Sequence, residues 1–437
     1  MPQILLLAAG KSSRTWPISE KIFFEIGGKT IFERQIETIL AAKIQKIVVV
    51  GNAENIEKIK VLSKKFSADF NFAVQKNLDD GIAGGILAAE KKIDDKKPVF
   101  VACSNDIVEK SAFEMPQIAA KKSNSEIFLV GKKVENYFPG GYLKLFRGKN
   151  GENKNRIQKI VEKPKIGEEP SDLVTLLIHF WKNPKMLFSA LKSRKQNENY
   201  EEILQKCFDH GVLAEVVKYD DFWSAIKYPW HFLAVGKHFL EKISKTEIHP
   251  TAKIGKMASI GDRVVIGKNA KILDGAVIAG PSFIGEKVVV GNGALVRESA
   301  VEKNSVVGHG TEIARSFLQK NCWTHQNFVG DSVFAENVSL GAGTRTGNLR
   351  LEEGEILSEI KEQKISSNLK KMGTFCGKNV RVGVNTSFMP GVKIGAGTFL
   401  GAGLIIDRDI PENRFVKGIF KLSERENKFL VKKRKNF

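Results

Sequence analysis

The sequence has few cysteines and no long apolar run. Its four cysteines are scattered, with neither a CxxC pair nor the spacing of a zinc site. No stretch approaches the ~18 apolar residues that a membrane-spanning helix requires, and residues 1–9 lack the basic start of a signal peptide. These absences exclude a disulfide scaffold and a membrane-spanning protein, and they predict a cytoplasmic chain with reduced thiols.

Length and composition predict at least two domains. The chain has 437 residues, of which 42% are hydrophobic, so it is too long for one ordinary domain and apolar enough for real cores. Its formal charge of +20 suits either nucleic acid or phosphorylated substrates. Only Lys428–Lys435 forms a local basic cluster. We therefore interpret the charge as spread over solvated faces and do not expect nucleic acid as a partner.

Predicted strands and helices alternate in the first half of the chain. Apolar runs predict buried strands at Ile4–Leu7, Ile47–Val50, Phe70–Val74 and Val99–Cys103, and the segments between them predict helices at 31–42, 54–65 and 82–92. Such alternation, with strands apolar on both faces, is typical of a parallel sheet covered by helices. We therefore predict a Rossmann-like, mostly parallel α/β domain over 1–235, with ligands at the carboxyl ends of its strands.

A six-residue period dominates the second half. From Ile248 onward an aliphatic residue recurs every six positions, often followed by glycine, and the phase slips by one before Val301. Period six fits neither an α-helix nor a hairpin sheet, whereas three hexads close one coil of a three-faced solenoid. We predict an all-β parallel β-helix over 248–418, preceded by a linker helix at 236–247 and followed by a basic tail at 419–437.

The hexads stop between Leu349 and Gly373. This charged stretch, LRLEEGEILSEIKEQKISSNLKKMG, lacks the aliphatic period of its flanks. It is predicted to be either a loop extruded from the prism or a segment that reaches a neighbouring subunit.

Small residues and two cations follow the first predicted strand. The stretch LLLAAGKSSRTWPISEK runs from the apolar strand through Ala8, Ala9 and Gly10 to Arg14 and Lys21. Small residues let backbone amides approach a triphosphate, and the cations can neutralise charge on phosphate oxygens. A plain strand and turn explains the apolar run but not the two cations together.

Two further residues suit chemistry but also have structural explanations. Asp106 lies just after the strand 99–103, where it suits a magnesium ligand or a helix cap. His325 in WTHQNFVGDS suits a general base or a histidine packed in the solenoid.

With VEKP at 161–164, these motifs resemble two known families. The first half resembles sugar-1-phosphate nucleotidylyltransferases, whose loop reads LAAGxGSR and then PK. The second half resembles left-handed β-helix acyltransferases. Their order is similar to that of bifunctional GlmU-type enzymes, more closely the archaeal ones. The resemblance implies a homotrimer formed through the β-helix.

The resemblance implies two reactions. In the first, UTP or dTTP and glucose-1-phosphate or N-acetylglucosamine-1-phosphate give a nucleotide sugar and pyrophosphate. In the second, acetyl-CoA acetylates the amine of an amino-sugar 1-phosphate. Magnesium is the implied cofactor of the first reaction.

The resemblance also implies roles for residues of the first half. Arg14 and Lys21 become the catalytic cations, and Asp106 becomes the Mg²⁺ ligand. A glutamine reads a pyrimidine base, and glycines and small residues surround the phosphates. The implied nucleotide-binding residues are Leu7, Ala8, Ala9, Gly10, Gln75 and Gly81, and the implied sugar-phosphate-binding residues are Gly141, Glu162 and Lys163.

Several positions depart from the nucleotidylyltransferase pattern. Glu20 replaces a proline, and Thr175-Leu176-Leu177 replaces the family's Asn-Ala-Gly. In WSAIKYPW, Ala225 takes the place of a second metal-binding aspartate, and His231 takes another usual aspartate position. One carboxylate binds Mg²⁺ more weakly than two. An active and an inactive nucleotidyl site therefore both remain open.

In the second half, the resemblance implies an acetyltransferase site. His325 would remove a proton from the attacking amine, with Glu312 orienting it, and Asn348 would lie beside the reacting amine and oxyanion. Positions implied to hold the sugar phosphate are Arg297, Arg315 and Phe328, and positions implied to line the acetyl-CoA channel are Ala342, Val384 and Ala402.

Two alternatives remain beside the bifunctional enzyme. One is acetyl transfer alone, with a degenerate nucleotidyl domain. The other is a non-catalytic binding subunit, as in translation initiation factor 2B, which resembles this architecture without the chemistry.

Overall fold

The computed structural model describes residues 1–146, 154–195, 198–419, 421–428 and 430. An α/β domain is followed by a three-faced solenoid. The predicted basic cluster Lys428–Lys435 lies almost wholly outside the described residues. Across the described ranges, no helix is long and apolar enough to cross a membrane.

The first domain alternates strands and helices. Its strands are β1 (Gln3–Leu7), β2 (Glu25–Ile26), β3 (Lys29–Thr30), β4 (Lys46–Gly51), β5 (Asp69–Val74), β6 (Val99–Cys103), β7 (Asp106–Val108), β8 (Ile127–Lys133), β9 (Gly141–Leu145), β10 (Ile157–Glu162), β11 (Leu173–Trp181), β12 (Ala214–Lys218) and β13 (Trp223–Ala225). Its helices are α1 (Ile31–Ala41), α2 (Ile56–Ser63), α3 (Gly81–Ala88), α4 (Ser111–Lys122), α5 (Pro184–Lys192), α6 (Tyr200–Asp209) and α7 (His231–Glu241).

The main sheet has the order β10-β9-β11-β6-β1-β4-β5, with β8 and β12 attached beyond β11. Strands β5, β4, β1 and β6 are parallel, whereas β11 runs antiparallel to β6 and β8. The predicted Rossmann-like sheet is confirmed, with antiparallel pairing around β11. Both faces of β1 are buried because Ile4 and Leu6 enter one core cluster while Leu5 and Leu7 enter another.

The solenoid has the architecture of a left-handed parallel β-helix, as predicted. In the described residues its first face comprises Glu247–Ile248, Val264–Ile266, Ser282–Ile284, Ala300–Val301, Phe317–Leu318, Val333–Phe334, Phe375–Cys376 and Lys393–Ile394. The second comprises Lys253–Ile254, Lys271–Ile272, Val289–Val290, Val306–Val307, Trp323–Thr324, Ser339–Leu340, Arg381–Val382, Phe399–Leu400 and Phe415–Val416. The third comprises Ser259–Ile260, Val277–Ala279, Leu295–Arg297, Glu312–Ala314, Phe328–Gly330, Arg345–Thr346, Ser387–Phe388 and Ile405–Ile406.

The predicted period is visible in the strand pairing. Ile266 pairs with Ile284, but Ile284 pairs with Val301, which is the predicted one-residue slip. The aliphatic residues of successive coils form one continuous core along the prism. Stacking therefore supplies the burial that no single coil could provide.

The interruption of the hexads is a hairpin that folds back onto the protein. It leaves the corner between the third and first faces and forms antiparallel strands Leu357–Ile360 and Gln363–Ser366. Ile356 and Met372 are buried together with Trp230 in a cluster shared by the two domains. Within this chain the stretch is therefore an extruded loop that packs against the domain interface.

The α/β domain lies along the side of the prism. Helix α7 packs on the first face, where Gly236 leaves room for Phe317: a Cβ at Gly236 would lie 2.1 Å from the ring. The side chain of Gln319 accepts from the backbone N–H of Glu25 and donates to its carbonyl. Long-range apolar and polar contacts thus fix one domain against the other.

Two candidate active sites

The loop after β1 lines a cavity of about 410 Å³. Leu7, Ala8, Ala9 and Gly10 form one wall, at the carboxyl end of a buried parallel strand. A cavity in this position, walled by small residues, brings backbone N–H groups close to a ligand.

Neighbouring side chains fix this loop. The side-chain amides of Asn52 and Asn55 donate to the carbonyls of Ala9 and Ala8, at 3.0 and 2.9 Å. Thr15 donates to the carbonyls of both Ser12 and Ile18, which closes the turn before Lys21. These bonds organise the cavity wall before any ligand binds.

Gln75 and Gly81 lie together on another wall of the same cavity. The Gln75 Nε2 donates to the carbonyls of Asn77 and Gly81, at 3.0 and 2.8 Å, and Gly81 has a φ of 57°. Within the described residues, the Gln75 Oε1 accepts no hydrogen bond. That oxygen is therefore the atom available to a base edge.

Lys21 lies on the floor of the cavity, and Arg14 is close enough for its charge to act on Lys21. The Lys21 Nζ donates to the carbonyl of Ile226 at 3.4 Å. Burial lowers the pKa of Lys21, Cys103 and Asp106 oppose the shift, and Arg14 adds to it. Arg14 is exposed. The two predicted cations, Lys21 and Arg14, therefore lie close enough for their charges to interact.

Asp106 lies just beyond this cavity, on the short strand β7. Asp106 is 7% exposed, and its Oδ1 accepts a hydrogen bond from the Trp223 indole N–H at 3.3 Å. Burial raises the pKa of Asp106, and the positive charge of Lys227 opposes that shift. Ala225 pairs directly with Asp106 across β7 and β13, so the predicted departure removes a side-by-side carboxylate.

The donor set around Asp106 limits how a metal can bind. In the described part of the chain, no group of three His, Cys, Asp or Glu side chains could hold a metal ion. Mg²⁺ commonly takes one or two carboxylates and completes its shell with waters and substrate phosphates. The residues present therefore fit an Mg²⁺ that arrives with a nucleotide and has Asp106 as its protein ligand.

Two of the predicted sugar-phosphate residues, Glu162 and Lys163, border a second cavity of about 480 Å³. Glu162 and Lys163 are ion-paired there, and Gly81 lines both this cavity and the first. Gly141 pairs with Glu162 in the β9–β10 ladder, and a Cβ at Gly141 would lie 3.1 Å from the Thr175 methyl group. The nucleotide and sugar residues thus occupy adjoining spaces.

Three features of the first domain were not anticipated from the sequence. Burial, with Glu162 nearby, raises the pKa of Glu201 to about 7. Lys227, at the end of WSAIK, is close enough to Asp106 for their charges to interact, and burial lowers the Lys227 pKa to about 8. The departure Thr175 contacts the buried His179 side chain at 3.1 Å. The WSAIK motif contains Lys227, but in the sequence this motif indicated only that Ala225 replaces a metal-binding aspartate.

In the β-helix, His325 begins a column of predicted acetyl-CoA residues. It is exposed at the corner between the second and third faces. Ala342, Val384 and Ala402 occupy the same corner of later coils. Like His325, which precedes Gln326, each of them precedes a residue with a left-handed backbone: Gly343, Asn385 and Gly403. The predicted base and channel positions therefore share one edge of the prism.

The predicted residues of the acceptor site lie on the next corner. Arg315 forms two hydrogen bonds with the Asp331 carboxylate, at 2.7 and 2.8 Å, and Asn348 donates to the same carboxylate at 2.5 Å. Asp331 was not predicted, although it stands in the quoted motif, 16 residues after Arg315. It holds Arg315 and Asn348 in fixed orientations.

The third face lies between these two corners. Phe328 is partly buried there, and Arg297 donates to Glu312 at 2.7 and 3.0 Å. The expectation that Glu312 orients His325 is not met, since the described residues show no bond between them. In one chain the predicted acetyltransferase residues are therefore spread over two corners of the prism and the third face between them.

Comparison with known proteins agrees with this two-part architecture. The nucleotidyl transferase family model matches residues 3–233, and a GMPPB C-terminal domain model matches residues 243–366. The inositol-1-phosphate CTP transferase of T. maritima is 18% identical, with a TM-score of 0.45, over 52% of this chain and 90% of that one.

Full-length relatives extend the match over both domains. The bifunctional sugar-1-phosphate nucleotidylyltransferase/acetyltransferase of Sulfurisphaera tokodaii is 31% identical, over 94% of this chain and 99% of the relative. The bifunctional protein GlmU of Methanocaldococcus jannaschii is 31% identical, over 94% and 96% of the two chains. The chain belongs to the family of these bifunctional nucleotidylyltransferase/acetyltransferases.

Proposed function

We propose that this chain is a bifunctional transferase that acetylates an amino-sugar 1-phosphate and joins a sugar 1-phosphate to a nucleotide. The observation that carries the proposal is the match over 99% of the Sulfurisphaera tokodaii relative, which spans both candidate sites. UDP-N-acetylglucosamine is the proposed end product, made in the cytoplasm, where the chain's free thiols stay reduced.

In the nucleotidyl reaction, a phosphate oxygen of the sugar substrate attacks the α-phosphorus of UTP or dTTP, and pyrophosphate leaves. No protein nucleophile is required, so the chain contributes position and charge. The amides of Ala9 and Gly10 hold the triphosphate, while the Ala8 amide donates to the Val50 carbonyl. Arg14 and Lys21 offset the charge that develops on it. These roles are supported by the shared cavity of the loop residues and Lys21.

The sugar substrate is proposed to bind in the adjoining cavity. Glu162 accepts hydrogen bonds from sugar hydroxyls, Gly141 allows the ring to approach the backbone, and Lys163 meets the phosphate. Mg²⁺ bound with the nucleotide would neutralise phosphate charge, and Asp106 would be its protein ligand. The position of Asp106 next to Asn105, which lines the first cavity, supports this assignment.

In the acetyl reaction, the neutral His325 imidazole accepts a proton as the substrate amine attacks the thioester of acetyl-CoA. Arg297 and Arg315 hold the sugar phosphate beside Phe328. Ala342, Val384 and Ala402 line the arm of the coenzyme. Asn348 uses one N–H on Asp331, which leaves the other for the oxyanion.

A homotrimer formed through the β-helix is part of this proposal. His325 and Asn348 lie on different corners of one prism, with the third face between them. Packing of one prism against the next can bring the His325 corner of one copy to the Asn348 corner of another. This separation within one chain supports a site completed between copies.

Product analysis separates this proposal from its alternatives. The chain would be incubated with glucosamine-1-phosphate, acetyl-CoA, UTP and Mg²⁺, and the products identified by liquid chromatography and mass spectrometry. We expect UDP-N-acetylglucosamine, coenzyme A and pyrophosphate. Acetylated sugar phosphate without nucleotide sugar would instead indicate acetyl transfer alone. No product from any sugar phosphate, with either UTP or dTTP, would indicate a non-catalytic subunit.

A further inference from the structure

Lys227 has hydrogen-bonding capacity that the protein does not use. Its Nζ donates to the carbonyl of Pro139 and lies 3.7 Å from the centroid of the Phe138 ring. An ammonium group has three N–H donors. Within the described ranges no second acceptor lies within hydrogen-bond distance, so two donors remain for a ligand.

The surroundings of Lys227 favour an anion. Its charge is attracted by Asp106 and Glu162 and repelled by Arg14 and Lys163. Lys21 also acts on Asp106. Four cations and three carboxylates, Asp106, Glu162 and Glu201, therefore surround this position, and Glu162 is already paired with Lys163. This excess of positive charge is suited to a phosphate group.

The position of Lys227 relates it to the sugar rather than to the base. Phe138 and Pro139 lie near the end of the loop that leads from β8 to Gly141, and a Cβ at Gly140 would lie 3.6 Å from the Lys227 Nζ. Gln75, the residue expected to read the base, lines the first cavity, and Lys227 does not. Lys227 thus stands between the sugar loop and Asp106, near the proposed junction of sugar and nucleotide.

Two neighbours of Lys227, Ala225 and His231, add no charge at this position. Ala225 pairs with Asp106, so no second carboxylate lies beside it on β13. The His231 Nδ1 lies 2.5 Å from the Ala225 carbonyl oxygen, and burial lowers the His231 pKa to about 4, which keeps the ring neutral near pH 7.

We infer that Lys227 binds the phosphate of the sugar 1-phosphate, as a substrate-binding residue that supplies positive charge on the side of Asp106 where Ala225 supplies no carboxylate. The inference rests on the proposed nucleotidyl transfer and deepens it. The ammonium donates its two free N–H groups to phosphate oxygens while Pro139 holds the third.

Binding measured without turnover tests the inference. Calorimetric titrations would use glucose-1-phosphate, N-acetylglucosamine-1-phosphate and, separately, UTP, all in EDTA. The variants are Lys227→Met, Lys227→Arg and the matched control Lys132→Met. Lys132 also donates to backbone carbonyls and lies over an aromatic ring, Tyr219.

For Lys227→Met we expect a Kd for the sugar phosphate that is about 10- to 100-fold weaker, with the Kd for UTP changed less than about two-fold. Lys227→Arg should restore most of the affinity, and Lys132→Met should match the wild type. Unchanged sugar-phosphate binding in Lys227→Met would overturn the inference. Equal loss for both ligands, without rescue by arginine, would also overturn it, because a purely structural lysine predicts that result.

These outcomes are distinct from failure of the proposed function. A wild-type chain that binds glucose-1-phosphate through Lys227 but releases no pyrophosphate contradicts nucleotidyl transfer and retains the inference. A wild-type chain that makes a nucleotide sugar while Lys227→Met binds normally overturns the inference alone. A wild-type chain that binds neither sugar phosphate overturns it as well.

Discussion

At the scale of single residues, the residues of the first domain differ in how far the sequence predicts their positions. Arg14 and Lys21 were predictable because they lie in one short motif after a buried strand. Lys227 acquires its position only when β13 pairs with β7 and its side chain meets Pro139. Such partners are distant in sequence, and no local pattern announces them.

Lys21→Met should reduce nucleotidyl transfer by about 10²- to 10³-fold, because one cation facing the phosphates is removed. Acetyl transfer should remain within two-fold of the wild type, roughly as expected for separate sites. Initial rates of pyrophosphate and coenzyme A release measure the two activities. Lys64→Met, at the exposed end of α2, is the control. A nucleotidyl rate equal to that of the wild type would make the opening loop a strand and turn only.

His325→Ala should reduce acetyl transfer by about 10²- to 10⁴-fold through loss of the general base. His309 is the matched control, since it is exposed on the same corner of the preceding coil and also precedes a left-handed residue, Gly310. His309→Ala should retain full acetyl transfer. Comparable loss of both activities in His325→Ala would contradict the two-site account.

At the scale of elements, the hexads were predicted well because burial is strictly periodic in a solenoid. Even the slip between Ile284 and Val301 is visible in the pairing. The hairpin at 357–366 was not predictable, because Ile356 and Met372 follow no period and are buried in a cluster that both domains build. Similarly, the antiparallel pairing of β11 cannot be read from an apolar run alone.

Gly236→Leu should destabilise the docking of α7 on the first face. Leucine is the better helix former by about 0.8–1 kcal/mol. However, a Cβ at this position would lie 2.1 Å from the Phe317 ring. The cost of overpacking should exceed the gain in helix propensity and lower the free energy of unfolding by about 1–3 kcal/mol net. The measurement is the midpoint of chemical unfolding, which should fall. Lys237→Leu, an exposed neighbour on α7, is the control. A midpoint for Gly236→Leu at or above that of the wild type would refute this packing.

At the scale of the whole molecule, the α/β domain is held to the prism by pairs far apart in sequence. Glu20 forms ion pairs with Lys58 and with Lys378 of the β-helix, and Gly28 donates to Glu302. Glu20 replaces a family proline directly before Lys21, so this departure links the nucleotide loop to the second domain. Sequence separations of 274 and 358 residues explain why neither contact was predicted.

The interface should weaken as the pH rises. Burial raises the pKa of Glu302 to about 8, so the folded protein holds a proton that the unfolded chain releases above its ordinary acidic pKa. The stability contributed by this group is full below that ordinary pKa and is lost as the pH rises through about 8. Glu302→Gln should flatten the dependence of the unfolding midpoint between pH 5 and 9, roughly the window between the two pKa values.

Glu286→Gln provides the comparison for this prediction, since Glu286 is an exposed carboxylate paired with Lys287. Its curve should follow that of the wild type at every pH. Parallel curves for Glu302→Gln and the wild type would show that Glu302 does not link domain packing to pH.

The central claim is that each half of the chain performs its own group transfer. The most direct measurement follows two signals from one preparation: pyrophosphate released from UTP or dTTP with a sugar 1-phosphate and Mg²⁺, and coenzyme A released from acetyl-CoA with glucosamine-1-phosphate. The account predicts turnover in both, each abolished by the variant in its own half, Lys21→Met or His325→Ala. Release of coenzyme A without pyrophosphate, under every nucleotide and sugar tested, would contradict it.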